Sequence, residues 1–420
     1  MDHFNYRGDE LFAEDCNLHD IAAEVGTPFY CYSTATLKRH YSAMQDAVKN
    51  IDCDIFYAIK ANSNIAVIAT LASFGAGADV VSGGEFKRAL KAGVKPSRMV
   101  FSGVGKTADE MKLVLGAGIY QINVESLPEL ELLSSVANEL GVVADISLRV
   151  NPDVDAKTHE KITTGKAENK FGIDLDLARD IYGKASKMNG ISIKGVALHI
   201  GSQLLELEPY REAYLRIADF IKQLRGDGHT VERLDLGGGL GIPYSVEKAP
   251  SPQEFGAVIE QTVGGLGCHL AIEPGRVMVG NAGVMVTQVI YMKQGTKRRF
   301  AIVDGAMNDL IRPTLYNAYH DIVPLKKPNS DNAGEAVDVV GPICESGDYL
   351  GKARKLGDLT AGDFLAVRTA GAYGAVMVSG YNSRPLAPEV LVDGHKFQVV
   401  RKRVEIADML DLETIPDWID

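Results

Sequence analysis

The feature that most constrains the fold is a strand followed by a helix, repeated between residues 53 and 273. Short apolar runs rich in Val and Ile alternate with segments whose apolar residues recur at helical intervals, as in Leu127 to Leu140 and Tyr210 to Leu224. The predicted strands are Asp54 to Ile59, Ala78 to Val81, Met99 to Phe101, Tyr120 to Val124, Asp145 to Val150, Lys194 to His199, Arg233 to Leu236 and His269 to Ile272. Eight such repeats over roughly 230 residues predict an α/β fold, a closed (β/α)8 TIM-type barrel.

An open, doubly wound parallel sheet is the alternative architecture for this pattern. Its first strand would be followed by a Gly-x-Gly-x-x-Gly turn, but the residues after the first predicted strand, Ala61-Asn62-Ser63-Asn64, include no glycine. The closed barrel is therefore favoured, and its functional residues are expected in the loops at the carboxyl ends of the strands.

After Val277 the pattern changes to short alternating strands without long helices, which predicts a second, all-β domain of barrel or sandwich type. We expect the barrel domain to span residues 25–280 and the β domain residues 281–420, completed by the N-terminal segment 1–24. Tyr6 to Leu11 has strand character and is expected to pair with the C-terminal sheet. The predicted strands of the β domain are Val284 to Met292, Arg299 to Val303, Phe364 to Thr369, Val390 to Val392 and Phe397 to Arg403.

The charge balance and the cysteines narrow the class of partner. The chain has 44 Lys and Arg against 55 Asp and Glu, a formal net charge of -11, so nucleic acid and anionic membranes are not expected as partners. The 5 cysteines form no Cys-x-x-Cys pair, which argues against a disulfide framework or a thiolate metal site, and no metal is expected. Neither an export signal nor a membrane-spanning segment is indicated. We expect a cytoplasmic protein that acts on a small molecule.

One lysine lies at the end of the first predicted strand. Lys60 follows the apolar run Ile55 to Ile59, so a rigid strand could hold it in a pocket. Burial disfavours the ammonium form, and the free amine could then form a Schiff base with an aldehyde cofactor. The alternative is a lysine that points to water, as most do. Residues on the other loops decide between the two.

Three further strand ends carry residues suited to an aromatic, phosphorylated ligand. Gly237-Gly238-Gly239 and Gly275 would let backbone N–H groups approach a phosphate, although a glycine triplet alone is more often a simple turn. His199 could stack on a bound ring, although a strand histidine is usually a hydrogen-bonded core residue. Glu273 would stay charged if it faced a protonated ring nitrogen, which turns a pyridine into an electron sink.

Four short strings resemble the fold-type III pyridoxal-phosphate enzymes, the group of alanine racemase and the basic amino-acid decarboxylases, and look like its decarboxylase branch. They are the strings Tyr57 to Asn62, His199 to Gln203, Gly237 to Gly241 and Glu273 to Arg276. Further strings are similar to the diaminopimelate decarboxylase family: Asp155 to His159 and Thr164-Gly165 before Lys170-Phe171-Gly172, then Arg312 to Tyr316 and Gly341 to Asp348. The resemblance covers essentially the whole chain, and several separated strings in the right order are far more specific than any one of them.

The resemblance implies pyridoxal 5'-phosphate as cofactor and the decarboxylation of meso-2,6-diaminopimelate to L-lysine and CO2, the last step of lysine biosynthesis. It implies that Lys60 binds the cofactor covalently as a Schiff base, that His199 stacks on its ring and that Glu273 meets its nitrogen. The other implied cofactor-binding residues are Ser202, Gly239, Gly275, Arg276 and Tyr373. The implied substrate-binding residues are Arg276, Arg312, Tyr316, Glu345 and Tyr373.

The chemistry of this substrate gives its distal end a second carboxylate and a second amine. Arg276 and Arg312 can grip a carboxylate through paired N–H donors, Tyr316 can add a hydroxyl, and Glu345 can accept an ammonium. Taken singly, each arginine could equally form an ordinary ion pair.

Cys344 completes the implied catalytic set with Lys60 and His199, because the α carbon must receive one proton after carbon dioxide leaves. By default a single cysteine is a buried structural residue, and the position of Cys344 beside Glu345 favours the proton donor. In the family this loop reaches the barrel of a partner chain, which implies a homodimer with shared active sites.

Two other functions stay open. An amino-acid racemase on the same scaffold would need two opposed bases and tends to pair the ring nitrogen with arginine, which Glu273 argues against. A catalytically silent homologue would keep the fold without turnover, and Lys60, the phosphate loops and Cys344 together argue against it.

Overall fold

The computed structural model describes residues 2–155, 170–328 and 334–419. The chain divides into a sheet unit, formed by Met1–Leu37 and Val279–Asp420, and a barrel unit, formed by Lys38–Met278.

The N-terminal part of the sheet unit is a small antiparallel meander followed by one helix and one strand. It consists of β1 (Phe4–Arg7), β2 (Glu10–Ala13), β3 (Cys16–Asn17), α1 (Leu18–Val25) and β4 (Phe29–Ser33). The predicted strand Tyr6 to Leu11 is thus a hairpin, since Gly8 takes a left-handed φ of 64° between β1 and β2. This meander is a sheet of its own, linked to the C-terminal part by the bridge between Glu10 and Lys326.

Helix α2 (Thr34–Val48) leads into the barrel unit, which begins within it at Lys38. Its strands are β5 (Cys53–Ala58), β6 (Gly77–Val80), β7 (Met99–Phe101), β8 (Gln121–Val124), β9 (Ala144–Asn151), the short β10 (Ile173–Asp174), β11 (Ile191–Ala197), β12 (Arg233–Asp235) and β13 (His269–Ile272). Within the described part of the chain, eight of these strands pair in parallel and close a barrel, with β13 beside β5 and β10 paired only to β9.

Helices alternate with these strands as the sequence pattern predicts. They are α3 (Ile65–Ser73), α4 (Gly83–Lys91), α5 (Ala108–Gly116), α6 (Leu127–Leu140), α7 (Leu175–Ala185), α8 (Glu208–Gly226), α9 (Pro252–Thr262) and the short α10 (Arg276–Val279). The hydroxyls of Ser82, Thr107 and Ser251 cap three of them by accepting a backbone N–H from the third helical residue, which fixes where each loop ends.

The predicted (β/α)8 barrel with a separate sheet domain is confirmed. Two barrel strands end earlier than predicted, so two predicted site residues lie after their strands and not on them. Strand β5 ends at Ala58, so Lys60 lies in a short 3-10 turn, Ile59–Ala61, and not on the strand. Strand β11 ends at Ala197, which puts His199 in the following loop.

The C-terminal part of the sheet unit contains β14 (Gly283–Gln294), β15 (Arg299–Val303), α11 (Arg312–Tyr316), β16 (Ile322–Pro324), β17 (Val337–Val340), β18 (Tyr349–Arg354), β19 (Phe364–Val367), β20 (Glu389–Asp393), β21 (Lys396–Arg401) and α12 (Ile406–Leu410). The main sheet runs β18, β17, β15, β14, β4, β20, β21, and β16 joins it through β19. Strand β4, although inside the range predicted for the barrel domain, pairs with β14 and β20. Its Phe29 is buried with Val284 and Val390 in the core of this unit.

No helix in the described ranges is both long and apolar enough to cross a bilayer.

Candidate active site

A cavity of about 530 Å³ opens in the barrel unit. Lys60, Ser102, Arg149, His199 and Glu273 line it, and all five follow or end barrel strands. The volume lies within the usual range for small-molecule sites, and the carboxyl ends of the strands are where such barrels bind their ligands.

Lys60 forms an ion pair with Asp79, which lies on the neighbouring strand β6. Its Nζ lies 2.6 Å from Asp79 Oδ2, and the Asp79 side chain is fully buried whereas that of Lys60 is 36% exposed. The other oxygen, Asp79 Oδ1, is buried with no hydrogen-bond partner among the described residues. An ion pair favours the ammonium form, so burial alone does not set the state of Lys60 as the sequence argument assumed. Asp79 is instead positioned to take a proton from this amine.

Glu273 belongs to a second buried carboxylate pair, with Asp235. Asn123 Nδ2 donates to Asp235 Oδ2 at 2.9 Å and to Ser102 Oγ at 3.1 Å, and Ser102 Oγ donates to Glu273 Oε1 at 3.3 Å. Burial raises the pKa of Glu273 well above its usual range, and the negative charges of Asp235 and Asp79 raise it further, although Lys60 opposes them. Burial also raises the pKa of Asp235. Burial and the neighbouring carboxylates thus favour the protonated form of Glu273.

His199 is neutral in this setting. Its Nδ1 accepts the backbone N–H of Gly238 at 3.2 Å, which leaves the ring proton on Nε2. Burial lowers the pKa of His199 well below its usual range, and the positive charges of Arg149 and Lys60 act in the same direction. A flat, uncharged ring beside Lys60 is suited to stacking on an aromatic ligand.

The glycines in the loop after β12 allow its backbone to pack more closely against neighbouring loops than any residue with a side chain would. Gly239 has a left-handed φ of 105°, and a Cβ there would lie 2.1 Å from the Gly201 carbonyl oxygen. A Cβ on Gly238 would lie 2.1 Å from the Glu273 carbonyl oxygen. These three loops are therefore packed backbone against backbone, as a phosphate cradle requires.

Arg276 lies beside this cradle and is nearly buried. It donates through Nη1 to the Tyr244 hydroxyl at 2.7 Å and through Nη2 to Ser202 Oγ at 3.1 Å. These contacts fix the guanidinium and bring together two predicted site residues, Ser202 and Arg276.

Comparison with known proteins agrees with this geometry. A family model described as pyridoxal-dependent decarboxylase, pyridoxal binding domain, matches residues 34–280. A diaminopimelate decarboxylase of Vibrio cholerae is 49% identical over 417 residues, 99% of each chain, and one of Pseudomonas aeruginosa is 49% identical over 415 residues, 99% of each chain. The chain belongs to the diaminopimelate decarboxylase family. A crystal structure of that enzyme from Helicobacter pylori, complexed with L-lysine, has a TM-score of 0.91 at 42% identity and covers 94% of this chain and 99% of that chain.

The predicted family and cofactor are therefore confirmed, and the site residues fit pyridoxal phosphate. Glu273 lies near two further buried carboxylates, Asp79 and Asp235, and Asp79 is already paired with Lys60, so a protonated ring nitrogen would supply a positive charge for Glu273. The close-packed glycine loops present backbone and not side chains, as phosphate binding requires. Lys60 would hold the aldehyde, Glu273 the ring nitrogen, and Ser202, Gly239, Gly275 and Arg276 the phosphate region.

The remaining predicted residues lie in the sheet unit. Arg312, buried at the start of α11, donates through Nε to His320 Nε2 at 3.2 Å, and its guanidinium lies 5.9 Å from the centre of the Tyr316 ring. The Nδ1 of His320 is 2.9 Å from the Arg368 carbonyl oxygen, so Nδ1 carries the proton and Nε2 accepts. Tyr373 has a left-handed φ of 54° and follows Gly371 and Ala372.

Cys344 and Glu345 are exposed neighbours in the loop that joins β17 and β18. The string from Asp155 to Gly172 lies largely outside the described residues, since positions 156–169 are not among them.

Sequence reasoning missed Asp79, Asp235, Tyr244 and His320. A signal existed for Asp79, which is the one charged residue of the otherwise apolar strand β6, because buried carboxylates need a partner. The signal for Asp235 is weaker, because strand β12 also contains Arg233. The roles of Tyr244 and His320 depend on contacts with Arg276 and Arg312 across loops, which no local pattern encodes.

Proposed function

We propose that this chain decarboxylates meso-2,6-diaminopimelate to L-lysine and carbon dioxide in the last step of lysine biosynthesis. One observation carries the proposal: Lys60 and Glu273 line one barrel cavity in a chain that is 49% identical, over 99% of its length, to relatives named for this reaction. The solved relative with L-lysine bound adds support, because lysine is the expected product.

Pyridoxal 5'-phosphate, when bound, supplies a ring that draws off the electron pair left at the α carbon as carbon dioxide departs. Lys60 would hold the cofactor's aldehyde through its amine. Asp79 accepts the proton that the Lys60 Nζ must lose before it can act as a nucleophile. Glu273 would hold the ring nitrogen in its protonated form, and Asp235 and Ser102, both bonded to Asn123, orient Glu273. His199 would stack on the ring.

Ser202, Gly239, Gly275 and Arg276, with Tyr373, would hold the phosphate and position the ring. In the substrate site, Arg312, Tyr316 and Arg276 bind the distal carboxylate, and Tyr373 contributes a further hydroxyl. Glu345 accepts the distal ammonium, and the Cys344 thiol gives its proton to the α carbon. An enzyme specific for ornithine would have no use for the carboxylate clamp.

We further propose a cytoplasmic homodimer in which Cys344 and Glu345 of one chain serve the barrel of the other. The exposure of both side chains in the single chain supports this, because a proton donor works best where water is excluded. The free cysteines support a reducing compartment. The functional domains are proposed as 25–280 for cofactor binding and 281–420 for the β domain, with 1–24 completing the latter.

The decisive experiment mixes the purified holoenzyme with meso-diaminopimelate and measures carbon dioxide release, with ornithine and arginine as parallel substrates. We expect release from diaminopimelate only. The Lys60→Ala variant should release none and should lack the visible absorbance band that marks a covalently held cofactor. Equal release from ornithine, or an unchanged spectrum in the variant, would overturn the substrate or the cofactor assignment respectively.

A further inference from the structure

The buried carboxylate of Asp348 fixes the backbone of the loop that carries Cys344. Asp348 accepts the Met307 N–H at Oδ1 and the Ile343 N–H at Oδ2, both at 2.7 Å, and is only 4% exposed. Thr314 Oγ1 also donates to the Gly347 carbonyl oxygen at 2.6 Å. The two ends of the loop are therefore held, whereas these contacts do not direct the side chains of Cys344 and Glu345, which point away from the core.

A second segment, Gly380 to Ser383, contacts those two residues. The Cys344 N–H donates to Asn382 Oδ1 at 3.4 Å, which brings the adjacent Tyr381 phenol close to the Glu345 carboxylate. That contact with a negative charge raises the pKa of the exposed Tyr381 phenol. Tyr381 thus lies against Glu345, and its neighbour Asn382 contacts Cys344.

The backbone of the second segment is strained to make these contacts. Asn382 and Ser383 have φ of 56° and 52°, two successive left-handed residues without a glycine. The Ser383 N–H closes the turn on the Gly380 carbonyl oxygen at 2.9 Å, and the Ser379 N–H anchors it to the Asn308 carbonyl oxygen at 3.1 Å. Non-glycine residues keep such conformations only where their surroundings impose them, and such sites cluster at functional positions.

We propose that Tyr381 and Asn382 are positioning residues for the catalytic loop, Tyr381 aiming the Glu345 carboxylate at the distal ammonium of the substrate and Asn382 holding the backbone of Cys344. Tyr381 is thereby a determinant of specificity for a diamino acid. This inference rests on the proposed function, because it assigns a purpose to the Glu345 carboxylate in that reaction.

The first test is a double-mutant cycle on the holoenzyme with Tyr381→Phe, Glu345→Gln and both together. Tyr381→Phe should raise the KM for meso-diaminopimelate about 10-fold, the usual worth of a hydrogen bond to a charged group, and change kcat less than about threefold. On the Glu345→Gln background the same change should have no further effect on KM, because the carboxylate that Tyr381 aims is gone. Tyr291→Phe, at an exposed tyrosine on β14, is the matched control and should leave both constants unchanged.

The outcomes separate this inference from the function on which it rests. If Glu345→Gln raises KM strongly and Tyr381→Phe leaves it unchanged, Tyr381 does not position the carboxylate and the inference fails alone. If Glu345→Gln itself leaves KM unchanged, the proposed role of Glu345 fails. Equal, additive losses in both backgrounds would mean that the Tyr381 hydroxyl acts elsewhere, which also overturns the inference.

The proposed role of Asn382, holding the backbone of Cys344, can be tested without substrate. Cys344 is exposed in the single chain, and in the proposed dimer its thiol faces a substrate site that a reagent as small as iodoacetamide can enter. Its alkylation can therefore be followed by mass spectrometry on the intact holoenzyme. Asn382→Gly keeps the left-handed conformation and removes the amide, and it should raise the Cys344 alkylation rate at least about threefold with an unchanged melting temperature. An unchanged rate would refute the role of Asn382 whether or not the enzyme turns over diaminopimelate.

Discussion

The Lys60 ammonium is held 2.6 Å from the buried carboxylate of Asp79, and this pair faces Glu273 in the same barrel. A protonated lysine is a poor nucleophile, so the residue that takes its proton matters as much as the lysine. Asp79 has one oxygen on Lys60 and another with no hydrogen-bond partner among the described residues, which leaves it free to accept that proton.

Asp79→Asn should therefore slow decarboxylation about 100-fold without releasing the cofactor, because the amide keeps the shape and cannot take the proton. The measurement pairs single-turnover rates with the visible absorbance band, which should persist. Asp219→Asn removes a carboxylate from an exposed ion pair with Lys222 and should have no effect. Loss of the band in Asp79→Asn would mean that Asp79 serves cofactor binding instead of proton transfer.

Cys344→Ala should bind diaminopimelate with a nearly unchanged dissociation constant and turn over about 100-fold or more slowly, since the proton donor for the α carbon is missing. Stopped-flow absorbance with substrate measures binding and turnover in one experiment. Cys53→Ala, at a cysteine on β5, is the matched control. Wild-type turnover in Cys344→Ala would assign the proton to another group.

The barrel could be predicted from sequence because alternating apolar runs and helical periodicities record burial directly, and Lys60 and Glu273 could be selected because they follow such runs. Asp79 and Asp235 were not selected, because a carboxylate in a strand indicates only that it needs a partner. The fold alone shows that the partners are Lys60 and Glu273, which follow other strands. The strand Phe29–Ser33 was missed for the same reason: its partners, β14 and β20, follow the whole barrel in the chain. Left-handed Asn382 also leaves no local signal, because its conformation is imposed by tertiary contacts.

Arg312→Ala should raise the KM for diaminopimelate at least about 30-fold and leave the inhibition constant of ornithine within about threefold, because ornithine has no distal carboxylate for the guanidinium to bind. Arg312→Lys keeps the charge but loses the two-pronged donor, so an intermediate loss is expected. Arg298→Ala, at an exposed arginine paired with the nearly buried Asp338, controls for removal of an arginine from the same unit. Equal losses for both ligands would rule out the carboxylate clamp and indicate a structural role through His320.

At the opposite, amino-terminal ends of β5 and β13, His269 makes the stability of the barrel depend on pH. Its Nδ1 lies 2.9 Å from Asp52 Oδ2 and its Nε2 3.1 Å from Asp54 Oδ2. Burial lowers the pKa of His269, but hydrogen bonds and charges from Asp52 and Asp54 outweigh it, so the pKa is raised above 6.5. A group whose pKa is higher in the folded state stabilises that state fully below its unfolded pKa, and the gain is lost as the pH rises through the folded value.

The pKa of Asp54 is shifted the other way. Burial raises it, but the hydrogen bond and charge of Arg98, together with His269, lower it below 3.8. Its contribution is therefore present above pH 3.8 and lost as the pH falls through the lower folded value. The contributions of His269 and Asp54 are both fully present between about pH 3.8 and pH 6.5, so this cluster stabilises the barrel most at mildly acidic pH.

His269→Asn should therefore lower the melting temperature by about 2 °C at pH 6 and by clearly less at pH 9, since partly exposed ion pairs are worth only about 1 kcal/mol or less. Any loss of packing is the same at both pH values, so the difference between the two shifts isolates the electrostatic contribution. Differential scanning calorimetry of the wild type and the variant measures both. A shift of equal size at pH 6 and pH 9 would show that His269 contributes through packing and not through its charge.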